Sequence, residues 1–195
     1  MPPVEDRLNF SQITALVVDG DRYSSGIVSQ ILRGFGLAYH QIAQNGADAM
    51  QFLGVEKYDL LITEAVLPDM NSVDLLHWVR RHSNPRIRYM PVVMLTGYAQ
   101  VSKVVAARDC GANSFVRKPV SPTVLFDHIA WSARTERPFI ETDNYVGPCR
   151  RFKFGEPPPG MNRRSTDRRD QPVHQVAEPA AGAKQAAGHI SEGVP

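Results

Sequence analysis

Little in this 195-residue chain invites a disulfide, a zinc site or a membrane. Its two cysteines, Cys110 and Cys149, have no paired spacing and no clustered histidines nearby. That argues against a metal site and a disulfide scaffold, and it suits a reducing cytoplasm. No apolar run approaches the ~20 residues of a membrane span. The start, Met1-Pro2-Pro3-Val4-Glu5-Asp6, lacks the basic and then apolar order of a secretory signal. Excess charge is missing too: a formal net charge of +2 is too small for global electrostatics to draw the protein onto nucleic acid or an anionic membrane.

What is present divides into two parts. The 43% hydrophobic content fits a soluble protein long enough for one domain with a real core plus an appendage. Apolar runs are dense up to about Trp131, whereas from Ala133 onward Pro, Gly, Arg and Ala dominate and no helical or strand periodicity persists. The expectation is a folded domain over residues 12–132 and a largely disordered Arg/Pro/Ala-rich tail over 133–195.

Within the first part, short β-branched and aliphatic runs alternate with segments of helical spacing. Ile13–Val18 stops at an acidic turn, as a strand buried on both faces does. Tyr23–Arg33 carries Ile27, Val28, Ile31 and Leu32 at helical spacing before Gly34 and Gly36. Leu37–Ala43 reads as a second strand, and Asn45 as the cap of a helix that runs to Gly54. The order repeats with Leu60–Thr63 and Val73–Arg80, then Pro91–Leu95 and Ala99–Arg108, then Asn113–Val116 and Ser121–Trp131. Five strand and helix pairs imply an α/β fold with a doubly wound, five-stranded parallel sheet. Its functional crevice should lie at the carboxyl ends of the strands.

Five signposts follow one another along that pattern: Val17-Val18-Asp19-Gly20-Asp21, Glu64 after Tyr58–Thr63, Leu67-Pro68-Asp69-Met70, Leu95-Thr96-Gly97-Tyr98-Ala99, and Phe115-Val116-Arg117-Lys118-Pro119. In that order they resemble the CheY-like receiver domain of bacterial response regulators, over roughly residues 12 to 132. In that family an aspartate after the third strand accepts a phosphoryl group, with Mg²⁺ held by it, an acidic pair after the first strand and a backbone carbonyl. The resemblance implies that Thr96 and Lys118 bind phosphoryl oxygens, that Phe115 is the aromatic side chain reporting the state of Thr96, and that Glu64 stands at the acceptor position. It gives Asp19 as one member of the acidic pair. The second falls on Gly20, with Asp21 one position along, so a Mg²⁺ site on Asp19 and Asp21 is expected to be weak or absent.

Glu is longer than Asp by one methylene, which carries its carboxylate past in-line attack geometry. A charged Glu64 facing Lys118 instead predicts a charge-assisted ion pair and a permanently biased switch. Asp59, at the start of a strand, and Asp69, in a loop, read as solvated turn or edge residues rather than substitute acceptors. Where the family commonly has Asp-Gly, Asn71-Ser72 suits a turn or helix cap, with a changed loop shape.

The tail offers Arg150, Arg151, Arg163, Arg164, Arg168 and Arg169 as anion-binding candidates around a Pro157-Pro158-Pro159 spacer, with Phe152 and Phe154 able to stack. It is similar in composition to the arginine-rich tails of some single-domain receivers that bind cyclic di-GMP or proteins. Glu156, Asp167 and Asp170 dilute its charge, as in a solvated linker. No helix-turn-helix pattern follows the receiver, so DNA binding is not expected. The functional expectation is a non-enzymatic, cytoplasmic, atypical single-domain response regulator. It binds signalling proteins, a histidine kinase or a downstream target, through its fourth helix, fifth strand and fifth helix, with Val101, Val104 and Val105 as candidate contacts. The alternatives are a residual phosphoacceptor served by a histidine kinase, and an effector that takes a cyclic dinucleotide or polyanion on its tail.

Overall fold

Five parallel strands in the order β2-β1-β3-β4-β5 form the centre of the protein, seen in a computed structural model that describes residues 10–37, 39–97, 110–134, 137–142 and 145–149. The strands are β1 (Thr14–Val18), β2 (Tyr39–Ala43), β3 (Leu60–Glu64), β4 (Val92–Thr96) and β5 (Ser114–Arg117). The helices are α1 (Arg22–Gly34), α2 (Gly46–Val55), α3 (Ser72–Arg81), a short α4 (Pro85–Tyr89) and α5 (Pro122–Arg134). The helix expected at 99–108, and with it Val101, Val104 and Val105, lies outside the described residues.

Alternation along β1 explains the layering. Leu16 and Val18 join Leu61, Leu75, Leu76, Val79 and Met94 in one core cluster. Ala15 and Val17 join Val28, Leu32, Ile62, Val93, Leu95, Leu125 and Ile129 in the other. A strand covered on both faces reads as a continuous apolar run, which is why β1, β3 and β4 were visible in the sequence. The helix starts are set by local chemistry. Asp21 caps α1 by accepting from the Tyr23 and Ser24 N–H groups, Asn45 caps α2 through the Asp48 N–H, and Asn71 caps α3 through the Val73 N–H. At the end of α1, Gly36 takes φ 78° and its N–H donates to the Arg33 carbonyl.

Regular structure continues past the expected boundary at 132, where the sequence reading has only a largely disordered tail. Helix α5 runs to Arg134, and Phe139–Thr142 (β6) pairs antiparallel with Tyr145–Pro148 (β7), Phe139 opposite Pro148. Two four-residue strands, one containing Gly147 and Pro148, are too short to show an alternating pattern. A lone hairpin is also marginal in water, so this one depends on what it packs against. Its partners lie at the amino-terminal ends of β4 and β5. Tyr145 and Val146 are buried, and Tyr89 meets the Phe139 ring edge-on at 4.6 Å. At Gly111, φ is +98°, and a Cβ there would stand 2.9 Å from the Val146 carbonyl oxygen and 3.0 Å from Arg80 Cγ. Gly111→Ala should therefore destabilise the protein by about 2–4 kcal/mol in chemical denaturation, combining backbone strain with overpacking. The remaining residues of the expected tail, 150–195, lie outside the described residues.

Candidate functional site

The parallel register brings four chain positions to one edge of the sheet. Glu64 ends β3 opposite Leu95, Thr96 ends β4 opposite Arg117, and Asp19 and Lys118 each follow the last residue of their strand. Residues 99 positions apart thereby touch: Lys118 Nζ donates to Asp19 Oδ2 at 2.8 Å and also forms an ion pair with Glu64 Oε2. The pair expected from the sequence is present, and the ammonium bridges two carboxylates rather than one.

Each carboxylate is anchored a second time. Asp19 is buried; its Oδ1 accepts from the Asp21 N–H at 2.9 Å and its Oδ2 from Ser24 Oγ at 2.7 Å. Glu64 Oε1 accepts from the Ala65 N–H at 3.1 Å, and the Glu64 carbonyl accepts from the hydroxyl of Ser72, which is wholly buried at the start of α3. Burial by itself draws the Lys118 ammonium down, but its hydrogen bonds and charge attraction to Asp19 and Glu64 outweigh that and hold it above its ordinary value. The Lys118 N–H donates to the Thr96 carbonyl at 2.8 Å, and the Lys118-Pro119 peptide is cis. The Thr96 side chain is buried at the strand end. Phe115 is half-buried on β5 and packs against the core cluster that contains Met94.

Asp21 does not join this site. Its carboxylate faces the first turn of α1, so a cation site shared by Asp19 and Asp21 is not formed. The reason is local: one residue past Asp19 the chain turns into a helix whose free N–H groups claim the next acidic side chain. Gly20 is also enclosed, since a Cβ there would lie 2.4 Å from Pro68 Cγ. Among the described residues no cluster of three His, Cys, Asp or Glu could hold a metal. With Lys118 Nζ between the two carboxylates and Pro68 against Gly20, the residues present do not fit the Mg²⁺ arrangement that the resemblance implied. Ser24 and Ser72 are the contributors that sequence reasoning missed. Ser24 is an ordinary first-turn helix residue, and Ser72 stands out in the sequence only as part of the Asn71-Ser72 turn or cap.

Neither other aspartate reaches the site. Asp59 accepts from the Thr14 N–H and hydroxyl at the opposite end of β1. Asp69 accepts from the Gly46 and Ala47 N–H groups at 2.8 and 2.9 Å, tying the loop after β3 to the start of α2. The Gly46 bond foremost, opposed by desolvation and joined by the Ala47 bond and further backbone N–H groups of the loop, holds Asp69 below its ordinary 3.8. A depressed carboxylate contributes stability above its unfolded value and loses it as pH falls through the folded one. Asp69→Ala should thus lower the melting temperature at neutral pH, and the gap to the native protein should close as pH drops below about 4. A gap that stays constant into acid would show that the charge of Asp69 does not carry the effect. The six tail arginines, Arg150, Arg151, Arg163, Arg164, Arg168 and Arg169, lie outside the described residues.

The architecture and the convergence of strand ends define a class, and sequence comparison defines the family. Residues 15–130 match the response regulator receiver domain. The chain is 32% identical over 114 residues to the chemotaxis protein CheY of Pseudomonas aeruginosa, covering 58% of this chain and 90% of that one. It is 29% identical over 154 residues to the response regulator protein PilR of the same species, covering 77% of this chain but 33% of PilR. A CheY-like receiver domain protein from Methanospirillum hungatei JF-1 superposes with a TM-score of 0.54 at 28% identity, over 60% of this chain and 90% of that one. The chain belongs to the response regulator receiver family of two-component signalling, whose members interact with histidine kinases and downstream targets. No described helix is long and apolar enough to cross a membrane.

Proposed function

We propose that this receiver acts as a protein-interaction module that does not depend on aspartyl phosphorylation, with Glu64 standing where the family keeps its phosphoacceptor aspartate. The observation that carries this reading is the doubly anchored Glu64 side chain, one oxygen on Lys118 and the other on the Ala65 N–H. An incoming phosphoryl donor would meet an acceptor already held by a cation, in a site whose second acidic position is Gly20. The protein is then a non-enzymatic cytoplasmic signalling component, with one pocket arrangement favoured by an internal ammonium rather than by a transferred group. Val124 and Trp131, exposed on α5, belong to the face offered to partners.

The test is Mg²⁺ and beryllofluoride titration of the full chain, followed by amide NMR. The native protein should stay silent and Glu64→Asp should respond. The control is not built on Gly20→Asp alone, because of Pro68; that change is paired with Pro68→Ala. Native shifts at Thr96, Phe115 and Lys118 would overturn the proposal. They would favour the second reading, a residual phosphoacceptor, which draws support from Thr96 and Lys118 standing at their strand ends and is checked by radiolabel transfer from a histidine kinase.

A further inference from the structure

Arg80, near the end of α3, is the largest fully buried side chain among the described residues, and its hydrogen-bond partners are all neutral. Nε donates to the Gly111 carbonyl at 2.9 Å, Nη1 to the carbonyls of Arg88 and Met90 at 2.7 and 2.8 Å, and Nη2 to Asn113 Oδ1 at 2.9 Å. One side chain thus joins α3 to α4 and to the residues that lead into β4 and β5. The hairpin covers it, with the Phe139 ring 5.8 Å from the guanidinium carbon and Glu141 in an ion pair with Arg88.

These same elements carry the site at their other ends. Ser72, which holds the Glu64 carbonyl, starts the helix that nearly ends in Arg80, about 12 Å further along its axis at 1.5 Å per residue. β4 runs from beside Met90 to Thr96, and β5 from beside Asn113 to Lys118. Among the described residues, no hydrogen bond, ion pair or ring contact joins β1 or β2 to Arg80, Phe139 or Glu141.

We infer that the hairpin β6–β7, acting through the buried fork of Arg80, sets the alignment of α3, β4 and β5 and thereby the Lys118–Glu64 contact at the opposite pole of the sheet. Arg80 is a positioning residue in this scheme. A protein that takes hold of the hairpin alters the pocket without entering it, and the pocket alters the hairpin to the same degree. The inference does not require the phosphorylation-independent reading: it holds whether Glu64 or a phosphoryl group is the partner of Lys118.

The full chain is compared with Glu141→Gln, Phe139→Ala and the two together by amide NMR and hydrogen exchange. Directed coupling moves the amides of Glu64, Ser72, Thr96 and Lys118 along one line, in proportion to the severity of the variant. It also speeds exchange in α3 and β4 by roughly tenfold in the double variant, with β2 unchanged. Lys118→Ala gives the reciprocal view and should speed exchange at Tyr145–Pro148. Shifts confined to Arg80 and residues 85–91 and 110–113 would overturn the inference, as would acceleration that reaches β2 equally, which reports plain loss of stability. If the double variant does not fold, Glu141→Gln, which removes only a largely exposed carboxylate, and Phe139→Ala as separate variants supply the same line-of-shift test.

Discussion

Lys118→Ala should lower the unfolding free energy by about 2–4 kcal/mol at neutral pH, because it leaves two carboxylates facing each other with their shared cation gone. Asp19 is the more buried of the two, and its remaining bonds to Ser24 and the Asp21 N–H do not neutralise it. Glu64→Gln should cost less, about 1–2 kcal/mol, since Lys118 keeps Asp19 and the amide oxygen can still accept from Ala65. The double variant should show a coupling energy of ~1–3 kcal/mol, while additive effects would remove the pair from the account. The pH dependence has a definite sign. Lys118 is raised above its ordinary 10.5 in the folded protein, so its contribution is complete below that value and is lost only as pH climbs through the folded one. The stability gap between native and Lys118→Ala proteins should therefore stay flat from neutral pH to about 10 as far as the lysine is concerned, and narrow in stronger alkali.

The second large effect is at Arg80. Burial draws its guanidinium down to about 10, where it stays protonated at neutral pH, and its charge is spread over three carbonyls and one amide oxygen. Arg80→Met should cost about 3–5 kcal/mol. Some buried ionic clusters can be replaced by apolar side chains without loss, but only when all partners are replaced together. Here three acceptors are backbone carbonyls that no substitution removes, so all three lose this donor, those of Gly111 and Met90 in buried surroundings and that of Arg88 in a partly buried one. Asn113 is the exception, because its Oδ1 also accepts from the Val92 N–H. Arg80→Lys should recover less than half of the loss, since one ammonium cannot span the positions that a planar fork reaches. Thermal and urea unfolding of both variants decide it; a methionine variant within about 0.5 kcal/mol of the native protein would sink the argument.

The strand and helix order was legible because each central strand is apolar on both faces and each long helix has a spaced apolar stripe. Asn45 was readable as a cap because its bond to Asp48 is local. Asp19, Glu64, Thr96 and Lys118 could be placed at strand ends by counting alone. What escaped was tertiary. Asp21 looks equally suited to a cation or a cap, and only the turn into α1 decides between them. The Arg80-Arg81 pair reads as a solvated basic helix end, yet one member points outward and the other into the protein, with nothing local to distinguish them. Pro85–Tyr89 is too short for periodicity to register. The hairpin strands owe their burial to Gly111 and Tyr89, dozens of residues upstream.

That separation matters while the chain is being made. Residues 139–148 leave the ribosome roughly 60 residues after Arg80, a delay of about 3–12 s at 5–20 residues per second. During that interval the receiver sheet can assemble, but its buried cation stands open to water on one side. A nascent chain at that stage is a wetter, looser version of the finished molecule, and a transcript cut short after α5 would yield that version permanently. The hairpin acts as the stopper that dries the interior, so a chain that carries it should resist unfolding better than one that stops at Arg134.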